Sequence, residues 1–420
     1  AVKSSNDQNH ILSLDGSNGT LLSTLPINSY DEDASQVTMR NNSLFVSFQH
    51  IYVGGNLSFY SILKYDLISY TLTWLVSQNF SVSQQAIRSF DFDDNDNIFC
   101  TGYYGSSGYG AGKWGILKLS PAGVPIYSQY IFRDSSNAAS TNFSDGMISL
   151  VIANKPCFVG IIDGQYSPSM SNACFVRLDN TTGNVELKKY LGGNTVKFES
   201  RCIEMISYQN DKKLALIKRG RIGQLYCLDS LNNVMWVTTL ALSNGDLSPT
   251  KMISTADGTI WVSALRYYYN YSTPYISSVA SDIYMYKISS TGEILSTTSN
   301  STSNIPLEFL VQNNAVYHLY KSSSTVRIQK ISSSPYTETN LNLAVLNNSN
   351  NNYVSNASST LSFITGSNST SGMQYIYQLS DAMGGIINTK TYNMSGITFS
   401  CSAALNSTNL LIGAKNSAGK

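Results

Sequence analysis

Charge is scarce in this chain. Asp, Glu, Lys and Arg make up 13% of its 420 residues, about half the usual share, and they nearly cancel, to a formal net charge of +1. With neither a basic nor an acidic excess, nothing steers nucleic acid, and no nucleic-acid partner is expected. Histidine is scarcer still: His10, His50 and His318 lie far apart, which makes a Ser-His-Asp triad or a His-rich metal centre hard to assemble. No apolar run approaches the roughly 20 residues that span a bilayer. AVKSSNDQNH at the start has no apolar core of a signal peptide. A soluble chain without membrane insertion is expected. The Ala start fits an unexported protein that has lost its initiator Met, and a trimmed signal peptide would leave the same start. The six cysteines, Cys100, Cys157, Cys174, Cys202, Cys227 and Cys401, form no C-x-x-C pair. Buried free thiols are therefore expected, with no metal and no cofactor, and a Cys157 to Cys174 disulfide is left open.

Hydrophobic residues make up 42% of the chain and Tyr alone counts 28. That is enough for a sizeable core in a chain of this length. Ser, Asn and Thr fill the polar positions. Sequons such as Asn79-Phe-Ser, Asn142-Phe-Ser, Asn270-Tyr-Ser and Asn368-Ser-Thr are what so much Asn, Ser and Thr supplies by chance.

One hairpin phrase recurs along the chain. It reads ILSLDGSNGTLLS, ILKYDLISYTLTWLV, KWGILKLSPAGVPIYSQY, FVRLDNTTGNVELKKY, LYCLDSLNNVMWVTT, MYKISSTGEILSTT, RIQKISSSPYTETN and IYQLSDAMGGIINTKT. Each turn opens on Asp or Ser, at Asp15, Asp66, Ser120, Asp179, Asp229, Ser289, Ser332 and Ser380, at spacings of 51, 54, 59, 50, 60, 43 and 48 residues. A side-chain oxygen there accepts from backbone N–H groups further into the turn. A second hairpin precedes each copy, its turn marked by Asn, Asp and Gly before three or four apolar residues, as in RNNSLFVSF, DNDNIFCTG and ADGTIWVSA. Two hairpins in about 50 residues make one four-stranded propeller blade.

This second hairpin disposes of a tempting motif. DFDDNDNIFCTGYY opens with the D-x-D-x-N of a calcium loop, at Asp91, Asp93 and Asn95, but Asp96 stands where that loop needs Gly and Gly102 where it needs a bidentate Glu. A turn between two strands is expected.

The units resemble the SBBP-type β-propeller repeat, an apolar strand, D-x-x-G-N, V-Y-V-T-G, a loop, then K-L-D-x-x-G and an outer strand. The best copy runs from Phe92 to Tyr127, through Asn97-Ile98-Phe99-Cys100-Thr101-Gly102 and Lys118-Leu119-Ser120-Pro121-Ala122-Gly123. Lys64, Lys118, Arg177, Lys287 and Lys330 keep the basic position, whereas Ser13, Cys227 and Gln378 depart from it. The resemblance implies fold and no single function. The chain opens on a copy of the Asp- or Ser-opened hairpin, Ile11 to Ser23, and closes on a hairpin of the kind that precedes it, Phe399 to Asn416, so each end carries half a blade. The expected fold is all-β: a single eight-bladed β-propeller over 1–420, with a closing blade from about 10–25 plus 399–416. Seven blades result if Ser332 and Ser380 belong to an irregular unit. Trp74, Tyr127 and Trp236 recur four residues after corresponding turn positions and are expected to pack blade against blade.

The long insertions all join a blade's second and third strands, and so share one face: 53–59, YYGSSGYGAGK at 103–113, 163–172 and RYYYNYSTPYISSVAS at 266–281. Tyr, Gly, Ser and Asn dominate them, as on adaptable recognition surfaces. The candidate binding residues are Tyr103, Tyr104, Tyr109, Tyr267, Tyr268, Tyr269, Tyr271 and Tyr275, and no catalytic residue is assigned. Low charge and this polar composition resemble bacteriophage virion proteins, tail or fibre components of cyanophage type. The expectation is a non-enzymatic structural protein of a virion, partnered by other virion proteins and in some cases a host surface glycan. The alternatives are a secreted or cell-surface carbohydrate-binding propeller and, third, a propeller enzyme.

Overall fold

The computed structural model describes 31 strands, together with the turns at 41–42, 67–69, 93–97, 120–124, 153–154, 179–184, 209–211, 220–221, 229–233, 241–243, 245, 255–259, 289–293 and residue 331. No helix occurs among these residues. The chain opens with the hairpin β1 (Asn9–Asp15) and β2 (Leu21–Ile27). Unit 1 is β3 (Glu32–Arg40), β4 (Ser43–His50), β5 (Tyr60–Asp66) and β6 (Thr71–Ser77). Unit 2 is β7 (Gln84–Phe92), β8 (Ile98–Gly105), β9 (Lys113–Leu119) and β10 (Pro125–Ile131). Unit 3 is β11 (Phe143–Ile152), β12 (Lys155–Gly164), β13 (Asn172–Leu178) and β14 (Val185–Leu191). Unit 4 is β15 (Ser200–Tyr208), β16 (Lys212–Arg219), β17 (Ile222–Leu228) and β18 (Val234–Leu240). Unit 5 is β19 (Asp246–Ser254), β20 (Ile260–Asn270), β21 (Ser277–Ile288) and β22 (Ile294–Ser301). Unit 6 shows three strands, β23 (Asn304–Gln312), β24 (Ala315–Ser322) and β25 (Thr325–Lys330). Unit 7 is β26 (Tyr353–Asn356), β27 (Ser362–Ser367), β28 (Gln374–Leu379) and β29 (Ile386–Tyr392), and β30 (Ile397–Ala404) and β31 (Asn409–Asn416) end the chain.

Each unit is an antiparallel meander. Six sheets of three or four strands result, plus one of eight in which units 1 and 2 are joined by the single pair Gln49 and Ala86. The last sheet runs β2-β1-β31-β30, so the two ends of the chain share it, with Asn9 opposite Lys415 and Asp15 opposite Asn409. First strands touch in sequence, β3 to β7, β11, β15, β19, β23, β26 and β30, and β30 touches β3. The core lies between successive sheets. Phe99, Trp114 and Ile116 of unit 2 pack on Phe158, Cys174 and Val176 of unit 3. Units 4 and 5 meet through Leu214, Leu216 and Leu225 against Met252, Ile260 and Val262.

The turns follow from their residues. Asn41-Asn42, Ala153-Asn154 and Asn210-Asp211 all have positive φ, the backbone of tight two-residue hairpins that Asn and Asp tolerate best. The stretch that mimics a calcium loop is a turn. Asp93 is 1% exposed; its Oδ1 accepts from the backbone N–H groups of Asn95 and Asn97, and its Oδ2 from the Asn97 amide. The turn openers act as the repeat requires where they are described. Asp66 Oδ1 accepts from Ile68 N and Ser69 N, Asp179 Oδ1 from Thr181 N and Thr182 N, Asp229 Oδ1 from Asn233 N, Ser120 Oγ from Val124 N and Ser289 Oγ from Glu293 N. Ser332 and Ser380 lie outside the described residues.

The aromatic residues of the outer strands seat on the next unit's turn. Trp74 covers Gly123, where an added Cβ would meet its ring at 2.7 Å, and donates from Nε1 to Pro121 O at 3.1 Å. Trp236 covers Gly292 in the same way. Both glycines have positive φ, 78° and 89°, so any side chain there would be strained as well as crowded. Tyr127 sits on Gly183 likewise. Cys100, Cys157, Cys174, Cys202 and Cys227 are buried thiols and form no disulfide, so the Cys157 to Cys174 bridge left open by the sequence is not made.

Two outcomes are expected. Deleting 397–420 removes β30 and β31 and leaves β1 an unpaired edge, so the truncated chain should aggregate or become protease-sensitive near its start; an unchanged monomer with the melting temperature of the full chain would refute this. Asp179 is held below the ordinary carboxylate range by the Thr182 backbone N–H and hydroxyl. Its depressed native value stabilises the fold above the unfolded value and ceases to do so as pH falls through the native one. Asp179→Asn keeps an acceptor oxygen and loses the charge. Its deficit in melting temperature should be complete above about pH 5 and close below about pH 4, whereas a pH-independent deficit would show that charge plays no part.

Candidate docking surface

Turns joining first to second and third to fourth strands emerge at one end of the molecule, and the hairpins joining second to third at the other. The sequence places the binding face at the hairpin end, and the structure redraws that end. Tyr103 and Tyr104 are strand residues of β8, opposite Trp114 and Lys113. Arg266 to Asn270 and Ser277 to Ser281 continue β20 and β21, with Tyr267 opposite Ala280, Tyr268 opposite Val279 and Tyr269 opposite Ser278. The expected sixteen-residue loop is thus mostly a strand extension, because Tyr and Val suit a ladder as well as a loop. Tyr267 is half-buried against the cluster of Trp261, Leu265, Ile283 and Met285, which gives it a packing role. Tyr109, Tyr271 and Tyr275 lie outside the described residues. At the base of this hairpin Arg266 Nη1 lies 3.4 Å from both Asp282 Oδ2 and Tyr284 Oη.

The opposite end carries a feature that sequence reasoning missed. Ile68 and Leu231 sit on turns at 71% and 64% exposure, and Leu72, Val124, Ile126, Val185, Met235, Val237, Ile294 and Leu295 are exposed beside such turns or in the strands that follow. All belong to the last hairpins of units 1 to 5, five successive units. Contacts from each unit to the next make the row continuous: Trp74 on Gly123 and Tyr127 on Gly183, Arg177 Nη1 donating to Leu231 O at 2.9 Å, then Trp236 on Gly292. The signal was in the sequence, since Val124, Val185 and Ile294 each follow a turn directly. It was hidden because apolar residues in outer strands were counted as core.

Charges along this arc are fixed locally. Thr182 and Ser69 donors keep Asp179 and Asp66 below the usual carboxylate range. Burial pulls Lys118 down, against the attraction of Asp93 and Asp179, and its Nζ donates to Asn180 O and Oδ1 at 2.6 Å. The exposed aliphatic side chains are left as the chemically distinctive feature of this end, and aliphatic surface interrupted by few mobile charges suits contact with another protein surface.

His318 and the five described cysteines are buried in the sheets. Burial lowers His318 to about 3, leaving a neutral ring between Phe309 and Tyr320. Burial also raises the Cys100, Cys157 and Cys227 thiols. No group of three or more His, Cys, Asp or Glu residues placed to hold a metal occurs among the described residues.

No family model matches the chain, and no curated protein matches it in sequence. Solved structures do. The Dos1 propeller is 11% identical, with a TM-score of 0.61 over 94% of this chain and 95% of that one. Sqt1 from Chaetomium thermophilum is 10% identical, with a TM-score of 0.54 over 93% of this chain and 98% of that one. At such identities the likeness speaks for fold alone: this chain folds as a β-propeller.

Proposed function

We propose that the chain is a non-enzymatic, eight-bladed propeller that serves as a docking platform in a bacteriophage virion, held to other virion proteins. The observation that carries docking is the arc of exposed aliphatic side chains over five successive units. Eight blades are supported by the run of first-strand contacts from β3 round to β30 and back to β3, and closure by the sheet that joins both ends of the chain. The SBBP-like repeat favours the same architecture. The virion rests on composition: little charge, near neutrality and polar surface built from Ser, Asn and Thr. A closed ring whose first strands are tied to one another is a rigid carrier, so the partner meets a preformed surface and little ordering entropy opposes docking.

The carbohydrate-binding alternative draws on the tyrosine-bearing β20–β21 hairpin, in which Tyr267, Tyr268 and Tyr269 pair with Ala280, Val279 and Ser278.

Particles purified from the source should contain the chain by mass spectrometry. The triple variant Ile68→Ser, Val124→Ser, Leu231→Ser should change stability by no more than about 0.5 kcal/mol per site, as exposed positions do. Its assembly should weaken by about 2 kcal/mol or more if these residues form an interface centre. A folded variant that assembles as well as wild type refutes the arc as a docking surface, and absence of the chain from particles refutes the virion.

A further inference from the structure

Between units 2 and 3 an amine, a carboxamide and a carboxylate meet in line. Lys118, near the end of β9, is buried, and its Nζ donates to Asn180 O and to Asn180 Oδ1, both at 2.6 Å. With a C=O bond of about 1.23 Å, the second contact puts Nζ no more than about 3.8 Å from Cγ of the carboxamide, whatever its angle. That is close to the separation of about 3–3.5 Å at which reacting atoms are poised. The other side of the carboxamide is held as well, since Nδ2 donates to Asp93 Oδ2 at 3.3 Å and to Asn154 O at 3.1 Å. Asp93 is buried in its turn and fixed there by Asn95 and Asn97. Nζ lies 5.0 Å from the centre of the Phe99 ring and 5.9 Å from that of Tyr127, which wall it from water on those sides. Burial pulls Lys118 below the ordinary lysine value, with Asp93 and Asp179 opposing, and so raises the share of neutral amine, the nucleophilic form.

The repeat does not demand this arrangement. The residue after the turn opener is Asn180 in unit 3 but Pro121, Ser230 and Ser290 in units 2, 4 and 5. Arg177, which holds in unit 3 the place of Lys118, donates to Leu231 O, and a guanidinium that keeps its proton is no nucleophile. Thr255 heads in unit 5 the turn that Asp93 heads in unit 2, each N–H donating to the carbonyl four residues on. Unit 4 supplies a partial copy. There the buried Lys213 donates to Asn232 Oδ1 at 2.5 Å, yet Asn232 Nδ2 meets no hydrogen-bond partner among the described residues. Amine and carboxamide are in contact, and the carboxylate on the departing nitrogen is missing.

We propose that Lys118 and Asn180 form an isopeptide bond, with Asp93 as the catalytic residue that moves the protons. The neutral amine adds to Cγ, making the new N–C bond and a tetrahedral carbon that carries both nitrogens. Because both then sit on one carbon, the carboxylate that holds Nδ2 reaches Nζ too, takes a proton from it and returns one to Nδ2. The Cγ–Nδ2 bond breaks and ammonia leaves. One amine and one carboxamide thus give one secondary amide and one ammonia, and no oxidant is consumed. The product straps β9 of unit 2 to the β13–β14 turn of unit 3. It is independent of the virion assignment, since every group in the reaction belongs to this chain.

The test is the mass of the full chain, intact and after proteolysis. The intact mass should fall short of the sequence by one ammonia. Tandem spectra should show a branched peptide joining the Lys118 and Asn180 segments, with Lys213 and Asn232 unlinked. Lys118→Met should have its full sequence mass. Asp93→Asn keeps size and one acceptor oxygen and should slow formation by about a hundredfold or more, the worth of general acid-base catalysis, read as loss of the branched peptide from freshly made protein. A wild-type chain at full sequence mass, or one short by an ammonia but without the branched peptide, would overturn the bond. An undiminished link in Asp93→Asn, or a second link between Lys213 and Asn232, would overturn the role of Asp93. The wild-type chain alone decides the bond and, through Lys213 and Asn232, the need for a carboxylate, so a variant that fails to fold leaves both open to refutation.

Discussion

The first strand of every unit is a sheet edge, and the fold depends on what its unpaired backbone groups meet. An edge strand carries a row of N–H and C=O groups with no partner in its own sheet, and leaving them buried and unmade costs about 1–3 kcal/mol each. Here a side chain from one first strand reaches the backbone of the next. Gln36 clasps Phe90 in both directions, donating to its O and accepting from its N. Ser89 Oγ accepts from Ser149 N and Asp91 Oδ2 from Val151 N, and Glu204 Oε2 from Met252 N. A recurrent irregularity aims them. Register shifts fall at Ala34/Gln36, Ile87/Ser89, Gly146/Ile148, Cys202/Glu204, Pro249/Lys251, Pro306/Glu308 and Phe399/Cys401, and a bulge redirects the side chain next to it.

Ionised groups at these positions are held under tension. Burial raises Asp91 and Glu204 above ordinary carboxylates, while the backbone N–H each accepts works the other way. Lys251 links Glu308 at 3.0 Å and Glu204 at 3.6 Å, joining units 4, 5 and 6. Burial opposes its charge, and the two glutamates more than offset that. Such a triad contributes less to net stability than its distances suggest, because desolvation opposes the attraction. Its stronger effect is on geometry, since removing Lys251 would leave two half-buried carboxylates without their shared partner.

How much of this was legible depends on whether a role demands one residue type. Turn openers demand a short side-chain oxygen, so Asp66, Ser120, Asp179, Asp229 and Ser289 stand out at the right spacing, and each makes its bond. Seating an outer-strand ring on a turn glycine demands an aromatic residue and a Gly, so Trp74 with Gly123 and Trp236 with Gly292 are readable too. The inner clasp demands only an acceptor, and Gln36, Ser89, Asp91 and Glu204 fill it with four residue types, invisible to any motif. At the basic position Lys64, Lys118 and Lys287 lie over Phe45, Phe99 and Trp261. In unit 4, where Cys227 replaces it, Lys213 on the neighbouring strand supplies an ammonium and donates to Asn232 Oδ1; pairing across strands cannot be read from one strand's sequence. The insertion at 266–281 is mostly ladder where a loop was expected, because length alone does not separate a loop from a longer hairpin.

The two ends of the molecule consequently vary in different ways. At the hairpin end the chain varies in length, and β20 and β21 show that added residues extend a ladder instead of remodelling the sheet beneath. At the turn end length is held nearly constant by the hydrogen-bonding of each described turn, and variation is confined to side chains: aliphatic ones on units 1 to 5 and an amide that fills the space between units 2 and 3. A surface whose backbone is fixed and whose side chains alone differ is preorganised, so a partner or ligand there is selected by side-chain chemistry without reordering the chain. The same turn hydrogen bonds that make the repeat recognisable in the sequence thus fix the backbone on which these side chains differ.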